Sequence, residues 1–184
     1  MNIIRYPEKA NWNELLARPV LNTETLNDTV CEILSHIRKE GDKAVLEYEE
    51  KFDKVRLSSL CVTEEEFAKA EKEVSIELKA AIMLAWNNIR TFHESQRFIG
   101  KKVETLPGVT CWQKAVAIEK VGLYIPGGTA PLFSTVLMLA TPAQIAGCKE
   151  IILCTPPDKN GNVPAAILYA ARTAGVSKVF KTGG

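Results

Sequence analysis

The sequence predicts an α/β protein in which a helical N-terminal region and a β-hairpin lead into an incomplete parallel β-α-β-α-β sheet. Three observations predict it. Apolar residues recur at helical spacing through the first hundred positions; Leu106-Pro107-Gly108-Val109 has the form of a tight turn; and from Lys120 short apolar strands alternate with single helices. The implied division is a helical region over 1–100, a hairpin connector over 101–120 and a sheet domain over 121–184.

At 184 residues the chain has the length of one ordinary domain, or of one small domain and part of another. A hydrophobic fraction of 46% supports a core, and a charged fraction of 24% suits a solvated surface. With a formal net charge of +1, nothing steers the chain towards nucleic acid or an anionic membrane. No apolar run approaches the roughly 20 residues that cross a bilayer. MNIIRYPEKANWNELL lacks an apolar signal core and a small-residue cleavage site, so a cytoplasmic protein is expected. The five cysteines, Cys31, Cys61, Cys111, Cys148 and Cys154, are odd in number and contain no C-x-x-C. They read as free thiols packed as small hydrophobes.

From Thr23, the residues Leu26, Val30, Ile33, Leu34 and Ile37 share one helical face, and Gly41 is placed to stop the helix. Asp42 is suited to cap the next helix, with Val45, Leu46 and Phe52 as its apolar side. Thr63 and Glu66 form a capping box ahead of Phe67 and Ala70. Ser75 opens the longest helix, whose stripe is Leu78, Ile82, Ala85, Ile89 and Phe92. In Leu106-Pro107-Gly108-Val109, proline and glycine stand second and third, as a type II turn requires. Val109, Cys111, Trp112, Val116 and Ile118 favour strand around it.

Next comes a strand from Val121 to Ile125, then a helix from Pro131 to Ala146. A strand from Glu150 to Cys154 follows, a helix from about Pro164 to Ala174, and a strand from Lys178 to Lys181. Ala-Gly closes both helices, at Ala146-Gly147 and Ala174-Gly175, where glycine accepts the left-handed conformation. Strands joined by single helices pair in parallel. Pro142 predicts a kink or two abutting helices, with Thr141 capping the second. Three strands rarely complete such a sheet, and the last has no helix after it, so the chain reads as cut short.

Ligands of open parallel sheets bind at the carboxyl ends of the strands. That edge carries Pro126-Gly127-Gly128-Thr129, Thr155-Pro156-Pro157 and Thr182-Gly183-Gly184. Gly127 and Gly128 allow a ligand to approach the backbone, Pro131 suits a first helical turn, and that turn's N–H groups are placed to receive an anion. A tight strand-to-helix turn needs such glycines in any case, so the residues leave both readings open. Tyr124 precedes the loop, where its ring either flanks a bound ring or packs. Gly122, Gly127 and Gly128 do not make G-x-G-x-x-G, and no Walker lysine follows. Ser134 and Thr135 read as helix-surface hydroxyls.

Other motifs fail. His93-Glu94 resembles the start of a zinc-protease motif, but Arg97 stands where the second histidine belongs. His36 lies among helix-surface residues, and Glu64-Glu65-Glu66 is a solvated first turn. Two histidines offer no metal site and no nucleophile–base pair.

The run VGLYIPGGTAPLFSTVLMLATPAQIAGCKEIILCTPP, from Val121 to Pro157, strongly resembles histidinol dehydrogenase. The likeness continues through PAAILYAARTAGVSKVFKTGG and more loosely back through GVTCWQKAVAIEK. The resemblance implies the N-terminal portion of that family's chain, at under half the usual length, with an incomplete Rossmann-like NAD-binding domain over 121–184. It implies oxidation of L-histidinol to L-histidine through an aldehyde, with two NAD and a zinc ion, by a homodimer in histidine biosynthesis. Tyr124 matches the family's NAD-contacting tyrosine, and Gly127 and Gly128 form the adjoining loop. The zinc ligands and the glutamate–histidine acid/base pair lie beyond Gly184, so this portion alone is expected to be inactive. The family's later region joins the helical part in a second Rossmann-like domain. Cys148 and Cys154 read as structural, having no base nearby. An alternative is a non-catalytic nucleotide- or phosphate-binding module that associates through its helices. A third reading is a truncated chain that persists by self-association across an unfinished sheet edge.

Overall fold

In a computed structural model, residues 3–18, 24–128 and 130–183 are described. Thr23, Thr129 and Gly184, named above, lie outside them. The chain divides into two compact units, Met1–Gly41 and Asp42–Gly184.

In the first unit a 3-10 turn (Lys9–Asn11) runs into a short helix α1 (Trp12–Leu15), and helix α2 spans Glu24–Glu40. The predicted stripe of α2 forms but is largely open: Leu26, Val30 and Leu34 are exposed, while Ile33 and Ile37 are half-buried. Gly41 follows at φ +60, and its N–H donates to the Ile37 carbonyl at 2.8 Å. That is the left-handed helix stop its position predicts.

The second unit opens with α3 (Asp42–Tyr48), which continues as a π-helical turn over Glu49–Asp53 and ends at Lys54 with φ 60. Two expectations change here. Asp42 stands inside the first turn of α3 rather than ahead of it. Phe52 is exposed, stacked on Tyr48 with ring centroids 5.6 Å apart. A π turn is wider than an α turn, so it rotates later side chains about the axis. Glu49 is the side chain that ends up buried.

Helix α4 (Glu64–Glu73) starts at the predicted capping box. Glu66 N–H donates to Thr63 Oγ1 at 3.3 Å, and Thr63 N–H donates to Glu66 Oε2 at 2.9 Å. Ser75 Oγ accepts from Leu78 N–H at 3.2 Å and caps α5 (Ile76–Glu94). Ile82 is fully buried at the centre of the α5 stripe, with Leu78, Ala85 and Ile89 packed at the core margin. The stripe ends at Ile89. Phe92 is 62% exposed, and Trp86, nearly two turns earlier, takes the large aromatic place against the core.

Strands β1 (Val103–Leu106) and β2 (Val109–Cys111) pair antiparallel, with Gly108 at φ +81 in the turn. That is the angle a type II turn asks of its third position. Residues 112–118 carry no strand, contrary to the preference of Trp112, Val116 and Ile118. Strand preference reflects packing on a pleated surface, and among the described residues no partner strand runs beside this segment.

The α/β part follows in the predicted order: β3 (Lys120–Tyr124), α6 (Phe133–Ala146), β4 (Glu150–Thr155), α7 (Ala165–Thr173) and β5 (Lys178–Lys181). The strands lie in the order β3-β4-β5 and are all parallel. Gly147 and Gly175 close the two helices at φ +91 and +76. Helix α6 starts later than expected, with Leu132 at its N-cap and Pro131 outside. It also runs unbroken through Pro142. Thr141 caps nothing; it is fully buried within the helix, and its hydroxyl has no partner among the described residues.

Register sets the layering. Leu123, Leu153 and Val179 are paired across the sheet and share one face, with Val121 and Ile151 beside them. Helix α6 packs over β3 and β4 and against α7 and α5, and α4 packs on α7. One continuous core results, with Ile82, Val136, Leu137, Leu153, Ile167 and Val179 inside it. The outer edge of β5 is not bare. Val62 N–H donates to the Val179 carbonyl at 2.9 Å and Lys181 N–H to the Leu60 carbonyl at 2.7 Å, so Cys61 lies antiparallel opposite Phe180.

The revised stripe is testable by urea denaturation. Ile82→Ala should cost about 3 kcal/mol, as a fully buried aliphatic does. Phe92→Ala should change stability by no more than about 0.5 kcal/mol.

Candidate functional site

The three strands release their chains at one edge. Ile125 N–H donates to the Cys154 carbonyl at 2.9 Å, and Thr182 N–H donates to the Thr155 carbonyl at 3.0 Å, so the exits stay in step past the last ladder bonds. Between the first two exits lies a cleft of about 160 Å³, lined by Gly127, Gly128, Leu132, Thr155, Pro156 and Ile167 among others. The N–H groups of Phe133 and Ser134 begin α6 beside it, and helix geometry leaves the first N–H groups without an intrahelical acceptor.

The two candidate glycines differ. A Cβ on Gly127 would stand 2.7 Å from Pro156 Cγ, so packing alone demands glycine there. A Cβ on Gly128 would meet nothing within 4 Å. Gly128 is the position where open backbone faces a visitor. Tyr124 does not line the cleft. Register sets it beside Cys154 and Phe180 on the sheet face opposite Leu153, and it is 46% exposed. Ser134 is exposed and Thr135 half-buried on α6.

The π turn brings two carboxylates to the end of β5 that the sequence reading passed over. Glu49 is 3% exposed, and its Oε1 accepts from Gly183 N–H at 2.8 Å. Among the described residues, its Oε2 has no hydrogen-bond partner. Burial pushes the Glu49 carboxyl above the ordinary carboxylate range. The hydrogen bonds from Gly183 and Thr182 oppose that, and the neighbouring Asp53 charge reinforces it. Asp53 packs so closely on Gly183 that a Cβ there would collide with its carboxylate. A signal for Glu49 does exist in the sequence: it falls four residues after Val45, on the apolar side of the helix.

Tyr124 feels the same group of charges. Partial burial, then Asp53, then Glu49 push its phenol upward, which keeps the hydroxyl protonated as a hydrogen-bond donor. Burial also pushes the Cys154 thiol up, away from nucleophilic thiolate character. Cys148 packs against the core. His93 Nδ1 lies 2.8 Å from Gln96 Oε1, at a distance along the chain from the edge loops. Among the described residues, no group of three or more His, Cys, Asp or Glu is placed to hold a metal ion. No described helix is long and apolar enough to cross a membrane.

A parallel sheet with helices between successive strands and a glycine loop at its carboxyl edge defines a Rossmann-like α/β protein. Comparison with known proteins carries this further. The family model for histidinol dehydrogenase matches residues 16–184. The chain is 72% identical over 184 residues to the histidinol dehydrogenase of Bacteroides thetaiotaomicron, covering all of this chain and 43% of that protein. It is 50% identical over 172 residues to that of Escherichia coli K12, covering 93% of this chain and 39% of the other. The crystal structure of histidinol dehydrogenase from Elizabethkingia anophelis superposes with a TM-score of 0.90 at 48% identity, over 97% of this chain and 41% of that one. The chain belongs to the histidinol dehydrogenase family, a family of biosynthetic oxidoreductases. It spans about two-fifths of the length of these relatives.

The buried carboxylate has a consequence for stability. A folded-state pKa raised above the unfolded value stabilises the fold below the unfolded pKa, and that contribution is lost as pH rises through the folded pKa. Glu49→Gln keeps an acceptor for Gly183 and removes the titration. Its thermal midpoint relative to wild type should therefore rise from acid pH to neutrality. A difference that stays flat with pH, measured by scanning calorimetry, would contradict this.

Proposed function

We propose that the chain supplies the NAD-binding part of a zinc-dependent histidinol dehydrogenase, which oxidises L-histidinol to L-histidine with two NAD as hydride acceptors. The observation that carries the reading is the open backbone at Gly128, beside the first turn of α6 and across from Thr155-Pro156. Such a turn receives a phosphate through N–H groups that the helix leaves free. In this reading Gly128 lets the cofactor backbone approach, Gly127 holds the loop against Pro156, and Tyr124 offers its ring and a protonated hydroxyl from the sheet face. The functional boundary falls near residue 121, where the sheet begins. The described residues do not provide a zinc donor set.

Cytoplasmic location and a homodimer accompany this reading. What supports the second is the exposed stripe Leu26, Val30 and Leu34 on α2.

Calorimetric titration with NAD should give saturable binding by the 184-residue chain, weakened about tenfold or more by Tyr124→Ala, the scale of a lost aromatic platform. No heat at millimolar NAD would remove the cofactor reading. Incubated with histidinol, NAD and zinc, the same chain should form no NADH. Sustained turnover would show that it holds catalytic groups this reading assigns elsewhere.

A further inference from the structure

Glu49 is an anomaly as a purely structural residue. It is almost wholly removed from solvent, yet one of its oxygens is buried without a partner among the described residues. Desolvating a carboxylate is unfavourable, and a buried polar atom left unpaired adds to the cost. Accepting from the Gly183 N–H and the Thr182 side chain does not need a charge, since a neutral amide oxygen would serve. A buried group of this kind calls for a reason beyond packing.

Its contacts lead to the cleft. Glu49 Oε1 holds Gly183 N–H at 2.8 Å. The adjacent Thr182 N–H donates to the Thr155 carbonyl at 3.0 Å. Pro156, next along, presses on Gly127, where a Cβ would stand 2.7 Å from its Cγ. Asp53 closes on Gly183 from the other side. The carboxyl edge is thus one continuous line from the π turn through the exits of β5 and β4 to that of β3.

We propose that Glu49 is a positioning residue for the cofactor cleft, fixing the β5 exit and through it the Thr155-Pro156 wall against Gly127. The assignment rests on the reading of that edge as the NAD site. Glu49 does not touch the cofactor in this scheme; it acts through backbone that does. Its use of a π turn is consistent, since such turns are frequent at functional sites and re-aim one side chain without ending the helix.

Three variants test it in the 184-residue chain. Glu49→Gln retains the acceptor, Glu49→Met fills the space without one, and Glu49→Ala leaves the space empty. Amide hydrogen exchange followed by mass spectrometry needs no ligand. Glu49→Met and Glu49→Ala should exchange about tenfold faster at 125–128, 155–158 and 182–183, with α4 and α5 unchanged. Glu49→Gln should match wild type. NAD affinity should fall about tenfold in the Met and Ala variants and recover in Gln, even where Met leaves thermal stability intact.

Faster exchange confined to 45–55, or equal behaviour of Met and Gln, would overturn the proposal. So would global unfolding of both Met and Ala, which would make Glu49 a folding determinant only. If wild type binds no NAD while the exchange pattern appears as expected, the cofactor reading fails and the positioning role stands. If NAD binds equally to all three variants, the cofactor reading stands and the positioning role fails.

Discussion

The fold depends on β4 being paired on both sides. Its residues from Glu150 to Thr155 bond in parallel to β3 and β5, and Leu153, at 0% exposure, sits between Leu123 and Val179. Parallel strands cannot be joined by a hairpin, so this pairing obliges α6 and α7 to cross over the sheet. Those helices then supply the surface on which α5 and α4 pack. Lys181 adds a tie from the sheet: its ammonium pairs with Glu66 in a half-buried site, and the other Glu66 oxygen completes the α4 capping box. One glutamate thus starts a helix and fixes it to β5. Arg172 of α7 lies over the Phe67 ring at 4.7 Å and pairs with Glu64, which closes the same interface.

The two faces of the sheet are unequal, and the difference places the chemistry. One face is core. On the other, Gly122 and Tyr124 are exposed and Cys154 and Phe180 half-buried. All-parallel sheets are ordinarily covered on both faces. Here the second face instead leaves an aromatic ring, Tyr124, open at the strand end, with the Glu49 and Asp53 carboxylates gathered at the end of β5. The unequal burial also explains why Tyr124 and Gly128, neighbours in sequence, serve different surfaces.

Much of this was legible in the amino-acid order, for a definable reason. Capping at Thr63 and Ser75, the stops at Gly41, Gly147 and Gly175, and the turn at Gly108 are decided by a few adjacent atoms, so local sequence determines them. The β-α-β-α-β alternation is likewise repeated local pattern. What escaped depends on distant partners. The Leu60–Val62 segment meets β5 through a single antiparallel bridge, too short to show alternation. Phe92 continues a helical stripe correctly, but the surface it would pack on stops at Ile89. Pro142 removes one N–H from α6, and burial of Val136, Leu137 and Ala140 on the preceding turns holds the helix together regardless. Glu49 stands among other acidic residues, Glu47 and Glu50, and only its spacing from Val45 sets it apart as the one that is buried.

The glycines show how the same residue type conceals separate physical demands. Gly127 is required by Pro156, a Cβ on Gly183 would displace the carboxylate end of Asp53, and a Cβ on Gly128 would meet nothing within 4 Å. A motif reading treats Pro-Gly-Gly and Thr-Gly-Gly as equivalent ligand loops. Geometry separates them: two of these three glycines let protein approach protein, and only Gly128 leaves backbone open. The strand exits around it are held by a few bonds crossing the edge, from Ile125 N–H to the Cys154 carbonyl, from Thr182 N–H to the Thr155 carbonyl and from Gly183 N–H to the Glu49 carboxylate. The last of these is the one made by a side chain, and so it is where a single substitution can loosen the edge without disturbing the ladder.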